Sequence, residues 1–154
     1  MSLVKVYSKT AVDLTAKVGA YAYFMTDLVG GHLKKAKPFI KAIKTMVHAD
    51  CMGAVNALHI LSNLEVSETL EHLEVITDSS KVIALLETGK ADKYCDESLN
   101  HWLQVVKPKF PKLQSIKFTH VNRKGTGPAD NVRMLVHLEE IADQELNKSK
   151  MLAH

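Results

Sequence analysis

Asp78 follows the apolar, alternating run LEVIT (73–77) and is followed at once by the helical pattern SSKVIALLETG (79–89). A carboxylate at the carboxyl end of a central strand points into the crevice where open α/β sheets bind ligands. The same spelling also fits a plain helix start, in which Asp78 or Ser79 accepts backbone N–H bonds as a cap. A second carboxylate, Asp50, stands at the head of ADCMGAVNALHIL, in a first turn where its charge suits the helix dipole. Basic segments offer a different chemistry. RKGTGP (123–128) looks like a phosphate-cradling turn but lacks the GxxxxGK[ST] spacing of a P-loop, so it reads as a surface loop. KPKFPK (107–112) could touch a phosphate backbone, although a solvated turn is the commoner role. Lys34, Lys35, Lys37, Lys41 and Lys44 crowd one stretch, where they either guard an edge strand or meet an anion. The eight histidines show no HExxH or paired helical spacing, and nothing local marks a Ser-His-Asp or Cys-His nucleophile.

Those groups must be positioned by the elements around them. LVKVYS (3–8) and VGAYAYFM (18–25) alternate and are rich in β-branched and aromatic residues, so both read as strands, with KTAVDLTAK between them as a loop. A Gly30–Gly31 turn leads to a third strand over 37–47, with Pro38 placing it at a sheet edge or at a strand start. From Ala49 to about Leu64, Met52, Val55, Leu58 and Leu61 recur at helical spacing. LEHLEVIT is the fourth strand, and the helix after it ends at Gly89 with a glycine C-cap. DESLNHWLQVVK is an amphipathic helix with Leu99, Trp102, Leu103 and Val106 on one face, and SIKFTHV is the fifth strand. The last helix starts near Ala129, buries Val132, Leu135, Val136 and Leu138, and frays at about 148–154.

The 154 residues, 46% hydrophobic, suit one domain over 1–154 with a single core. A net charge of +3 is compatible with a polyanionic partner without demanding one. Cys51 and Cys95 are far apart without CxxC spacing, so free thiols and a cytoplasmic setting are expected, and a zinc site is not. No apolar run approaches the roughly 18–20 residues of a membrane helix.

The order βββαβααβα resembles the ribonuclease H fold, and two stretches carry the likeness. VITDSSKVIALL is similar to that family's strand-to-helix TDS motif. ADCMGAVNALHIL is similar to the helix that opens on its catalytic glutamate and runs ELxAxxxAL. The resemblance implies an α/β domain with a mixed five-stranded sheet, β1-β2-β3-α-β4-α-α-β5-α, and helices on both faces. It puts Asp50 at the glutamate position and Asp78 at the central aspartate. In such enzymes four acidic side chains hold two Mg²⁺ ions against the scissile phosphate, because Mg²⁺ takes hard oxygen ligands.

The chain departs from that pattern where the first strand should end in an aspartate, since VKVYSKTA offers Lys9. The fourth ligand falls on Asp130 or on Arg133 according to register, and a consistent helix face favours Arg133. The place of the family's assisting histidine is taken by Arg123 or Lys124, which can hold a phosphate but cannot shuttle a proton at neutral pH. The resemblance therefore implies a vestigial site of Asp50, Asp78 and Asp130, with a Lys9–Asp50–Asp78 cluster where metal would bind. Lys9, Arg123, Lys124 and Arg133 would face nucleic acid, RNA or an RNA–DNA hybrid, unless the scaffold serves a protein partner instead. No cofactor is expected in that reading. The alternatives are a nuclease using Mg²⁺ or Mn²⁺ on Asp50, Asp78 and Asp130, with Asp13 as a substitute carboxylate, and an interaction protein with no nucleic-acid role.

Overall fold

A computed structural model describes residues 3–28, 31–122 and 129–152. Five strands, β1 (Leu3–Asp13), β2 (Val18–Leu28), β3 (Gly31–Pro38), β4 (His72–Thr77) and β5 (Ser115–His120), form one sheet in the order β3-β2-β1-β4-β5. β1, β2 and β3 are antiparallel neighbours, whereas β4 pairs parallel with β1 and with β5. The helices are α1 (Met46–Ser62), α2 (Ser80–Thr88), α3 (Asp96–His101) and α4 (Ala129–Leu152). The expected mixed five-stranded sheet in a ribonuclease H-like order is present.

Strand alternation divides the core in two. Val4 and Val6 of β1 and Tyr21, Tyr23 and Met25 of β2 pack under α1, with α2 and the α3 region completing that layer. Tyr7 and Ala11 of β1 and Ala20 and Ala22 of β2 lie on the opposite face, under Leu135, Leu138, Ala142 and Leu146 of α4. Small residues on the second face let one long helix lie close to the sheet. Gly53 does the same for α1: a Cβ there would stand 2.9 Å from the Thr10 methyl and 3.1 Å from Tyr21 Cβ.

Several boundaries differ from those read in the sequence. β1 does not stop at Ser8 but continues through the supposed loop to Asp13, because Lys9–Asp13 pair with Ala22–Val18. The third strand is at the sheet edge, one of the two expected placements, but it ends on Pro38 instead of starting there. Pro38 has no N–H to donate and ends the strand. After it, the Phe39 and Ile43 N–H groups donate to Gly19 and Lys17 carbonyls, and the Ile43 side chain is buried, so this segment is a loop anchored on the β1–β2 hairpin. α1 starts three residues earlier than expected, capped by the Thr45 hydroxyl, which puts Asp50 beyond the first turn.

α2 ends as read, with Gly89 in the left-handed region at φ 70°. After α3 the chain widens into a π turn (Trp102–Val106), in which the Lys107 N–H reaches back to the Trp102 carbonyl. The wider turn rotates the apolar stripe: Trp102 and Val106 stay buried while Leu103 turns outward. On α4, Leu135 and Leu138 are buried but Val136 is exposed, and the helix runs through 148–152, where fraying was expected. Among the described residues, no helix is long and apolar enough to cross a membrane.

Candidate functional site

β4 ends at Thr77, and the hydroxyl of Ser79, not the Asp78 carboxylate, caps α2 by accepting the Val82 N–H at 3.3 Å. The Thr77 hydroxyl accepts the Ser79 N–H and holds the turn. Asp78 is thereby released from capping. Its Oδ2 accepts a hydrogen bond from Lys9 Nζ at 2.8 Å, with both side chains mostly buried at 12% and 13% exposure.

Parallel pairing of Tyr7 with Ile76 makes this contact possible, because two residues further on each strand Lys9 and Asp78 reach the same end of the sheet. Lys9 shares the face of Tyr7 and Ala11, and its neighbour Thr10 points the other way, toward α1. There the Thr10 hydroxyl donates to Asp50 Oδ1 at 2.6 Å. Ser8, Lys9, Thr10, Asp50, Thr77 and Asp78 line one crevice, with no room for a water molecule between them.

Burial raises the Asp50 pKa above the ordinary carboxylate range, opposed by the Thr10 hydrogen bond and the Lys9 charge and assisted by the Asp78 charge. Lys9, Asp50 and Asp78 are thus brought together at one crevice. Its hydrogen bonding is divided, though: Lys9 serves Asp78, and Thr10 serves Asp50. Thr10 carries no sequence signal of its own, since a threonine in a strand is ordinary.

The remaining candidates lie elsewhere. Asp130 and Arg133 are both exposed and form an i,i+3 ion pair with each other on the first turns of α4. Asp13 accepts from Lys150 Nζ at 2.6 Å and from the Ala16 N–H, which lower its pKa with the lysine contact foremost. About 13 Å of strand separates Asp13 from Lys9, so Asp13 is not a substitute carboxylate for the cluster. Arg123 and Lys124 fall outside the described residues.

A two-metal centre requires several carboxylate oxygens converging on each ion. Here the Asp78 carboxylate holds an ammonium group, Asp50 is stabilised in part by a hydroxyl, and no group of three or more His, Cys, Asp or Glu among the described residues could hold a metal ion. The residues present do not fit such a centre. What the arrangement can do is keep two carboxylates beside a fixed positive charge at the open end of the sheet.

Against solved structures, the chain is similar to LC11 ribonuclease H1 in complex with an RNA/DNA hybrid, with a TM-score of 0.71 and 13% identity over 95% of this chain and 98% of that one. The N-terminal ribonuclease H domain of Rv2228c from Mycobacterium tuberculosis gives 0.69 at 11% identity over 100% of both. Ribonuclease H1 from the halophilic archaeon Halobacterium salinarum gives 0.61 at 16% identity, covering 95% of this chain and 98% of that one. No curated protein sequence matches. A family profile described as "Reverse transcriptase-like" matches residues 10–133, starting at the residue after Lys9. With that match over most of the chain, the protein belongs to the reverse transcriptase-like family, and it has the ribonuclease H-like fold around the Lys9–Asp78 pair.

Proposed function

We propose that this protein is a catalytically inactive ribonuclease H-like module that binds nucleic acid. The observation that carries the reading is the 2.8 Å contact between Lys9 Nζ and Asp78, which puts a cation where the enzymes of this superfamily are expected to hold metal. An ammonium group in that position satisfies the carboxylate and repels a divalent ion. Pairing with Lys9 also offsets the Asp78 charge, which lowers the repulsion that two bare carboxylates would present to a phosphate backbone. Support for a nucleic-acid partner comes from the RNA/DNA hybrid bound by the similar LC11 enzyme and from exposed Lys34, Lys35 and Lys37 along β3. Phosphate contacts of this kind are sequence-independent and salt-sensitive.

The test pairs a cleavage assay on an RNA–DNA hybrid, in Mg²⁺ and in Mn²⁺, with binding measured between 50 and 200 mM salt. Inactivity together with affinity that falls steeply with salt supports the proposal. Metal-dependent cleavage by the unaltered protein overturns the inactive reading. A binding curve flat in salt, or no binding, overturns the nucleic-acid reading and turns attention to a protein partner.

A further inference from the structure

A cavity of about 270 Å³ opens between β2, α1, α3 and the segment that follows β3, and it shares no residue with the Lys9–Asp78 crevice. Its walls set the apolar and aromatic side chains of Tyr21, Phe39, Met52 and Val55 beside the polar groups of Asn56 and His101. The Tyr21 and Phe39 rings lie 5.0 Å apart and form one aromatic wall. His48, also on the lining, accepts the Lys44 N–H on Nδ1 at 3.0 Å, so its neutral ring keeps a proton on Nε2 and remains a donor there. At the rim Ile40 is fully exposed.

The surroundings are basic. Lys37 stands opposite Tyr21 and Lys35 opposite Tyr23 in the β2–β3 register, so both lysines belong to the face of the sheet that holds the cavity. Lys41 adds a third cation on the lining. It pairs with Glu97 across the mouth, but both side chains are exposed, and an exposed pair contributes too little to hold Lys41 from another anion.

Resting on the nucleic-acid reading above, we propose that this cavity takes one unpaired base of a single strand, with the lysines on its flanking phosphates. Every base has a flat π face and an edge of donors and acceptors, which matches an aromatic wall beside an amide and imidazoles. A base in a duplex cannot enter, because its edge is paired and its faces are stacked. At about 270 Å³ the space falls just below the roughly 300–1,000 Å³ of pockets for drug-sized ligands, so it suits one ring system. Around it Lys35, Lys37 and Lys41 outnumber the Glu97 carboxylate, which favours a strand of phosphates over the aromatic side chain of a protein partner.

The experiment measures, by fluorescence anisotropy, the affinity of the full-length protein for a short single strand, for an abasic strand of equal length, and for an RNA–DNA hybrid. The base-bearing strand should bind about tenfold tighter than the abasic one, the margin of one stacked base. Asn56→Ala should narrow that margin and leave affinity for the abasic strand unchanged. Phe39→Ala should remove it. Should either variant fail to fold, backbone NMR on the unaltered protein locates the contact, with shifts expected at Tyr21, Phe39 and Asn56 when the strand is added. Equal affinity for the two single strands, or shifts that miss the cavity, overturns this inference and leaves the phosphate-driven reading standing. No affinity for either strand or for the hybrid overturns both. Shifts at the cavity with an aromatic peptide in place of the strand overturn it in favour of a protein partner.

Discussion

Lys9 Nζ and Asp78 Oδ2, 2.8 Å apart, join the middle of β1 to the residue that follows β4. The contact exists because Ser79, one residue later, takes over the capping of α2. A cation is therefore built into the structure at the place where a neighbouring carboxylate would otherwise need compensation.

Lys9→Ala should remove the Lys9 ammonium from Asp78 in a mostly buried position. We expect a destabilisation of about 1–3 kcal/mol, measured by denaturant unfolding at pH 7. Lys9→Asp should do the same without metal but regain stability when Mg²⁺ or Mn²⁺ is added, because the new carboxylate completes an oxygen-rich site. Calorimetry on the same variant should show metal binding absent from the unaltered protein. If the two proteins respond identically to metal, the lysine is not what excludes the ion.

Asp50 gives a pH signature of opposite sign to an ordinary salt-bridged carboxylate. Burial raises its folded pKa above 3.8, so between that value and the raised one the folded state binds more protons than the unfolded state. Its contribution to stability is full below pH 3.8 and is lost as pH rises through the folded pKa. Asp50→Asn, which can still accept from Thr10, should raise the melting temperature by a few degrees at pH 7. The gain should shrink toward pH 4. A variant that melts lower at pH 7 would show that the charge itself stabilises the fold.

His59 and His101 form a stacked pair, with His59 Nδ1 2.7 Å from His101 Nε2. Burial, then the neighbouring His101 and Lys109 charges, lower the His59 pKa below 6.5. The unfolded chain thus takes up protons first, and the stability present above pH 6.5 is lost as pH falls through the folded value. His48 is shifted in the same direction, chiefly by burial. Stability should decline as pH falls below 6.5, and His59→Gln should flatten part of that decline in a pH series of thermal melts. An unchanged slope would remove His59 from the account.

Gly53 sets how closely α1, and with it Asp50, approaches β1. Gly53→Ala would place a methyl 2.9 Å from the Thr10 methyl carbon, with Tyr21 Cβ close behind, so helix or strand must shift. We expect a loss of about 1–3 kcal/mol despite the better helix propensity of alanine. NMR shifts at Thr10 and Asp50 should move as their hydrogen bond lengthens. Stabilisation by the alanine would mean that the packing there is looser than the geometry states.

Local chemistry was readable in the chain before any fold was known. Alternation in VKVYS and LEVIT marked β1 and β4, the 3.6-residue spacing after Ala49 marked α1, and Gly89 marked the end of α2, because each depends on near neighbours alone. The likeness of the two motif stretches to ribonuclease H placed Asp50 and Asp78 together and exposed Lys9 as the departure. Tertiary structure decided what followed from distance. β1 runs on to Asp13 only because β2 offers partners across the hairpin, and Leu103 faces solvent only because a π turn shifts the stripe. Periodicity carries no information about which strand supplies a hydroxyl to which helix, so Thr10 beside Asp50 was invisible, as was Lys150 on Asp13.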